Sequence, residues 1–429
     1  MTEEYLEMIG EVRNFYRPRI IDQLIKEKLS AFGGVQITGP KSCGKSWTGV
    51  FHSNSYMFLG EEEINNSVEL NPQAALEGEY PHLVDEWQDI PKLWDIARRN
   101  IDFKNKKGMY IFTGSTQIPY EKTFHTGIGR FARLQMRTMS LFESGDSNGA
   151  VSLSKLFDSG RTDVASSNLD FKKAVNLICR GGWPGALEVD EKEAFRTSYD
   201  YIESLKKVDT SRVDGVRRSS TVMGLVLRSL ARNNATSASV PTIAADIRSA
   251  GEDISEQTVR SYIEVLKKLF VIEEQEAWHP YVRSKTRIRK TGVRHFIDPS
   301  LAAAALGASP NILLKDTKTA GFLFESLCYR DLSAYALASR GRVFHYRDGA
   351  DLEVDAIVQT EDGRWGAAEV KLGTFEFEKA ASNLTRVKDK MVAAGAEEPS
   401  FLMIISATGR VAHTRPDGIV EAPIDCLGP

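Results

Sequence analysis

The octapeptide Gly39-Pro40-Lys41-Ser42-Cys43-Gly44-Lys45-Ser46 constrains this chain more than any other feature, because it fits GxxxxGK[ST] at every fixed position. A short apolar run, Val35-Gln36-Ile37-Thr38, leads into it and a helical segment follows, which is the setting the pattern requires. Glycines let backbone N–H groups turn inward around phosphate oxygens, and the start of the next helix adds partial positive charge. In this reading residues 39–46 bind ATP, Lys45 reaches its β- and γ-phosphates, and Ser46 ligates Mg²⁺. The competing reading is a chance glycine turn before a helix. From the octapeptide to about residue 145 short apolar runs alternate with helical segments. That alternation predicts an α/β fold with a parallel sheet.

A nucleotide site of this kind needs carboxylates on a neighbouring strand. His82-Leu83-Val84-Asp85-Glu86 is a short apolar run ending in two of them. Asp85 is the candidate metal ligand, acting through water, and Glu86 the candidate for orienting and deprotonating the attacking water. One strand later, Thr113-Gly114-Ser115 is either a polar strand end that senses the γ-phosphate, with Thr113 and Ser115 as contacts, or an ordinary turn. Beyond a glycine-rich turn, Arg130 is the candidate arginine finger and Arg133 its understudy. A finger acts from a neighbouring subunit, so it implies a homo-oligomer. A surface salt bridge explains the same arginines equally well.

The remaining bulk properties narrow the setting. A chain of 429 residues exceeds one ordinary core, and 42% hydrophobic with 26% charged content matches a globular protein. A net charge of −3 gives no global sign of a nucleic-acid or membrane partner, so any basic surface is local. Four scattered cysteines with no CxxC pair argue against a zinc module or a disulfide framework. The acidic Met1–Gly10 stretch lacks an apolar signal-peptide core, and no apolar run approaches the roughly 18 residues of a membrane span. The expectation is a cytoplasmic protein with no membrane partner.

The motifs so far, in order with Tyr16-Arg17-Pro18-Arg19, Gly181-Gly182-Trp183-Pro184 and Phe296-Ile297-Asp298-Pro299-Ser300-Leu301, resemble the prokaryotic AAA-type P-loop ATPases that carry a C-terminal domain of unknown function. The likeness runs along nearly the whole chain. It implies an N-terminal helical segment (1–30), an ATPase core (31–165), a helical lid (166–235), a winged-helix-like part (236–300) and a restriction-endonuclease-like domain (301–429). The first joint is placed in residues 146–170, which are rich in Ser, Gly, Asp and Asn.

Two later segments carry chemistry of their own. Pro241–Ala250, a Gly251 turn and Thr258–Phe270 read as a helix pair, with Asp253 and Glu256 as a capping box. Arg283, Lys285, Arg287 and Arg289 follow at spacings of two, so a strand shows all four on one side. They are the DNA-binding candidates, making phosphate contacts without evident base readout; a solvated edge strand guarded by charge explains them too. Further on, Glu325 lies on a helix, Asp355 on one strand and Glu369 and Lys371 on the next. The turn at 361–364 makes the strands a hairpin. An odd-length loop brings Asp355 and Glu369 to one face, whereas a two-residue Asp362-Gly363 turn separates them. With the faces matched, Glu325, Asp355 and Glu369 are Mg²⁺ ligands and Lys371 a catalytic group. The spacing resembles the D…ExK core of restriction-endonuclease-like nucleases; charged hairpin edges with a Glu369–Lys371 pair are the bland alternative. Together these readings predict an ATP-hydrolysing protein acting on or with DNA. Its rivals are an ATP-switched regulator that does not cut, and a Mg²⁺-dependent nuclease licensed by ATP.

Overall fold

The computed structural model describes residues 10–12, 14–115, 126–207, 215–281, 291–350 and 352–429. The chain forms two compact units: Met1–Thr138 with Thr210–Val216 and Lys268–Phe270, and Met139–Asp209 with Arg217–Lys267 and Val271–Pro429.

In the first unit, α1 (Ile21–Ala31) buries Ile21, Ile25 and Leu29, the stripe expected from their fourfold spacing. There follow β1 (Gly34–Thr38), α2 (Lys45–Phe51), β2 (Ser55–Phe58), α3 (Glu62–Leu70), β3 (His82–Asp85), α4 (Lys92–Lys104), β4 (Tyr110–Gly114) and β5 (Phe131–Gln135). The strands lie in the order β2-β3-β4-β1-β5, each parallel to its neighbours. Helices cover a sheet of this kind on both faces, so β3 and β4 are buried at every residue and read as unbroken apolar runs. One cluster gathers Trp87, Trp94, Phe112 and Phe131, with the Trp94 and Phe131 rings stacked at 4.1 Å. The other gathers Ile25, Val35, Ile37 and Ile111. Because β1 and β3 both run parallel to β4 between them, the glycine loop leaving β1 and the carboxylates closing β3 open at the same sheet edge.

The second unit begins at Met139, well before the joint expected within 146–170. That polar stretch is structured. It contains β6 (Val151–Ser152), α5 (Leu153–Ser159) and β7 (Ala165–Ser166). β6 pairs with the last strand, β16 (Leu427–Gly428), and β7 closes the edge of the large sheet. Its serines cap α5 and bond backbone carbonyls, which is why a loop-like composition misleads here. Helices α6 (Phe171–Arg180), α7 (Glu191–Lys207), α8 (Ser220–Arg232), α9 (Val240–Ser249) and α10 (Glu256–Lys268) lead to the antiparallel pair β8 (Ile272–Gln275) and β9 (Val293–Phe296). The cap of α10 is Ser255, whose Oγ accepts from the Thr258 N–H at 3.1 Å, in place of the expected Asp253. Ser255 lies three residues before that N–H, where an N-cap hydroxyl reaches it.

After α11 (Pro299–Leu306) comes the long helix α12 (Thr317–Ala338). Strands β10 (Arg342–Arg347), β11 (Glu353–Gln359), β12 (Trp365–Lys371), β13 (Phe401–Ser406), β14 (Val411–Thr414) and β15 (Val420–Pro423), with α13 (Phe377–Ala393) after β12, complete a seven-stranded mixed sheet ordered β10-β11-β12-β13-β15-β14-β7. Only β12–β13 and β13–β15 are parallel.

A buried ionic network explains two of the sequence motifs. Arg330 on α12 places Nη1 3.0 Å from Asp298 and Nη2 2.7 Å from Asp331, all three nearly inaccessible to solvent. Asp298 also accepts from the Gly182 N–H (2.9 Å), and Asp331 accepts from the Leu141 N–H (3.0 Å). Trp183 Nε1 donates to Ser300 Oγ at 3.0 Å. A Cβ at Gly182 would overlap the Met139 carbonyl, so only glycine fits. The Gly-Gly-Trp-Pro and Asp-Pro-Ser segments are thus two halves of one structural lock. Every charge has its partners, as a buried network must.

Candidate functional site

The glycine loop lies between β1 and α2. Gly44 takes φ +101°, and a Cβ on Gly39 would collide with the Met136 carbonyl, so the two fixed glycines are steric requirements. Pro40 and Cys43 are buried, while Lys41 and Ser42 face solvent. Lys45 Nζ donates to the Pro40 carbonyl at 2.8 Å, which holds the ammonium back over its own loop. Ser46 Oγ donates to both Asp85 oxygens, at 3.0 and 2.9 Å, so the two residues expected on one metal ion already stand together. Thr113, inaccessible to solvent, donates to the same carboxylate. Burial, with Glu86 close by, raises the Asp85 pKa above the usual carboxylate value, against the hydroxyl bonds and Lys45 that lower it.

Glu86 sits at φ +52°, a left-handed conformation that turns its side chain off the end of β3. Strain of this kind in a non-glycine residue concentrates at functional sites. Its carboxylate accepts from Gln88 and, at 3.3 Å, from Ser115 Oγ. Thr113 and Ser115, read from sequence as phosphate contacts, therefore have their hydroxyls on Asp85 and Glu86. Arg130 pairs with Asp102 at 2.8 Å on an exposed surface, and Arg133 donates to the Thr126 carbonyl at 3.0 Å.

Sequence reasoning missed the support around this loop. Arg19 donates to the Cys43 carbonyl (3.0 Å) and the Arg137 carbonyl (2.9 Å), tying the loop to the chain beyond β5. Tyr16 stacks on Phe51 at 4.1 Å and donates to Asp22 at 2.7 Å. The Tyr16–Arg19 motif was visible in the sequence; its targets were not.

The second candidate site belongs to the second unit. Gln359 pairs with Trp365, leaving the five-residue loop 360–364. This is the odd-length case, and extending the Ala356–Ala368 register by one residue sets Asp355 opposite Glu369 on one face. Asp355 Oδ2 accepts from the Val370 N–H at 2.7 Å. Lys371 Nζ stands 2.6 Å from Glu369 Oε2 and 3.7 Å from Asp355 Oδ2, between the two carboxylates. Asn383 on α13 donates to Glu369 Oε1 at 2.5 Å, a contact no sequence signal announced. Burial and then the Asp355 charge push the Glu369 pKa up to about 7. Burial opposes the Lys371 charge, but Asp355 and Glu369 more than offset it and hold the ammonium protonated. Glu325 is raised well above its usual value, first by burial, then by Asp355 and Glu353.

A cavity of about 400 Å³ opens here, lined by Glu353, Asp355, Glu369, Lys371, Asn383 and other residues of α13. Among the described residues no group of three or more His, Cys, Asp or Glu side chains stands arranged to hold a metal ion. Arg283, Lys285, Arg287 and Arg289 lie outside the described residues. No helix among the described residues is long and apolar enough to cross a membrane.

Three family models match the chain: an AAA domain over residues 33–144, a domain of unknown function (DUF8612) over 172–312 and another (DUF4143) over 320–427. A search of curated proteins returned no match. Solved structures with similarity include a Walker-type ATPase of Pyrococcus abyssi, at 16% identity and TM-score 0.40, covering 68% of this chain and 99% of that one. The RuvB Holliday junction branch migration motor of Thermotoga maritima follows at 15% and 0.27, covering 60% and 93%. AMPPCP-bound DnaA from Aquifex aeolicus matches at 13% and 0.29, covering 60% and 90%. With TM-scores this low, the assignment rests on the family model and the loop geometry. Residues 33–144, which hold the glycine loop and the five-stranded parallel sheet, match an AAA domain.

Proposed function

We propose that the chain hydrolyses ATP and uses the cycle to act on or with DNA through its second unit. The observation that carries the ATPase reading is the meeting of Ser46, Asp85 and Thr113 oxygens beside the glycine loop, with Glu86 held separately by Gln88 and Ser115. These are hard oxygen donors of the kind that suits Mg²⁺. Bound there, the ion would neutralise charge on the β- and γ-phosphates. Lys45 exchanges the Pro40 carbonyl for phosphate oxygen. Glu86, fixed by its two donors, aligns water for attack. Arg130 completes a neighbouring subunit's site once it leaves Asp102, which makes the working form a homo-oligomer.

Support for DNA comes from the run Arg283, Lys285, Arg287 and Arg289, which the described pair β8–β9 brackets in sequence, and from the helix pair α9–α10 before it. A helix pair followed by a two-stranded ladder is the order of a winged helix. The test is ATP turnover with and without DNA, in the wild type and with the four basic residues reversed to Glu. Stimulation by DNA that the reversal removes supports the reading; turnover indifferent to DNA overturns it.

The pairing of Asp355 with Glu369 on one face, with Glu325 near enough to feel their charges, favours a nuclease-like second site in which Asp355 and Glu369 would hold Mg²⁺ and Lys371 would contact the scissile phosphate. A second reading, DNA binding without cutting, is favoured by Lys371 Nζ, which stands where a cation between the carboxylates would be. Mg²⁺-dependent cleavage lost in Asp355→Ala and Lys371→Ala decides for the first; intact DNA in the wild type decides for the second.

A further inference from the structure

We propose that Phe375 is a stacking platform for a nucleobase, and that the carboxylate cavity takes an unpaired strand, single-stranded or frayed at an end, instead of a continuous duplex. This rests on the DNA reading above and names its substrate class.

Phe375 is 99% exposed, on the turn Thr374–Glu376 between β12 and α13. Single exposed apolar residues are common, but this one is placed with respect to chemistry. Its neighbour Glu376 lines the cavity, and Phe377, one residue further, is buried in the core, so the turn holds one ring in and the other out. Counting on from Glu376, the residue that caps α13, Lys379, Asn383 and Arg386 follow at steps of three, four and three, the spacing of one helical face, and all four line the cavity. The turn that carries the exposed ring therefore leads directly into a face bearing a cation, an amide and a second cation.

Each member has a partner in a nucleic-acid strand. Lys379 and Arg386 are exposed and suit backbone phosphates. Asn383 already orients Glu369. The cavity lining sets four carboxyl groups (Glu353, Asp355, Glu369, Glu376) against three cations (Lys371, Lys379, Arg386), a balance between zero and minus one, because Glu369 titrates near 7, that a divalent cation turns positive. A phosphodiester is thus drawn in more strongly with the cation than without it. The Phe375 ring selects the form of the strand. Within a duplex both faces of each internal base are covered by neighbours, whereas an unpaired base, in a single strand or a frayed end, offers its faces to an aromatic side chain.

The experiment uses the full chain in Ca²⁺, a hard divalent cation, with fluorescent oligonucleotides carrying 2-aminopurine, single-stranded and as a blunt duplex. Phe375→Ala should weaken single-strand binding by roughly ten-fold or more and abolish 2-aminopurine quenching, because stacking is the term removed. Phe375→Trp should restore both, and duplex affinity should barely move. An unchanged unfolding midpoint in Phe375→Ala, expected for a side chain wholly in solvent, shows that the variant is folded. Equal binding of both forms with no effect of Phe375→Ala overturns this proposal and leaves the DNA reading standing. No binding to either form by the wild type overturns both. A change in assembly size with oligonucleotide affinity unaltered assigns Phe375 to a protein contact and also overturns it.

Discussion

The glycine loop of the first unit and the carboxylate cavity of the second both set a lysine among acidic side chains, with different results. Lys45 is held by the carbonyl of Pro40, five residues away, and Asp85 is left to hydroxyl donors. Lys371 lies between Asp355 and Glu369 and is their principal counter-charge. The first arrangement keeps an ammonium ready for an anion and a carboxylate ready for a cation. The second is neutralised from within, so a cation entering it must displace an ammonium already in place. A loop of eight consecutive residues builds most of the first site, whereas the second draws on α12, β11, β12 and α13.

The largest expected effect tests the self-contained nature of the first site. Lys45→Ala and Glu86→Gln should each lower ATP turnover by about a thousand-fold, the scale of losing phosphate stabilisation or the residue that activates water. The two should differ in binding. Glu86→Gln retains a fluorescent ATP analogue, and Lys45→Ala loses it. Asp355→Ala, in the other unit, should leave ATP binding intact. Turnover near wild type in both first-unit variants would remove the basis for assigning the loop to catalysis.

This difference also decides what the sequence could reveal. The loop, the two carboxylates closing β3 and the parallel α/β pattern are local, since fixed glycines and unbroken apolar strands leave their mark within a few residues. The second site depended on one integer, the length of the loop between β11 and β12, and Thr360–Arg364 as a five-residue loop settled it. Periodicity showed that Asp355 and Glu369 lay on strands but not which register joined them. The partners of Arg19, Gln88 and Asn383 were not legible because a polar side chain's target depends on tertiary packing. The serine-rich stretch after Asp146 looked like a joint because the same residues that favour loops also cap helices and bond carbonyls.

A second test asks whether the assembled unit depends on its buried ionic lock. Arg330→Met leaves Asp298 and Asp331 buried without their cation, and should destabilise the second unit by about 3 kcal/mol. Urea unfolding followed by tryptophan fluorescence reads the loss. Nucleotide binding by the first unit should survive at urea concentrations that unfold the second. A parallel loss of ATP affinity would break the contrast between a self-contained site and an assembled one.

The smallest effect concerns the support behind Asp355. His295 bonds Ser326 Oγ through Nδ1 at 2.7 Å and Gln275 Oε1 through Nε2 at 3.0 Å, and Gln275 Nε2 donates to the Asp355 carbonyl at 2.8 Å. A buried imidazole thus reaches the cavity strand through one amide. Burial, reinforced by the neighbouring His345, lowers the His295 pKa from 6.5 to about 3. The unfolded chain therefore takes up a proton that the folded chain refuses. The contribution is complete above pH 6.5 and is lost as pH falls from there toward 3, at roughly 1.4 kcal/mol per unit. At pH 5 the second unit should be about 2 kcal/mol less stable on this account alone than at neutrality. Urea midpoints of wild type and His295→Gln at pH 7 and pH 5 isolate the effect, because the variant keeps polar atoms in the site but has nothing to protonate. The wild type should lose more stability than the variant over that interval. Equal losses would show that His295 accepts its proton while folded, and that the imidazole behind the carboxylate strand is hydrated.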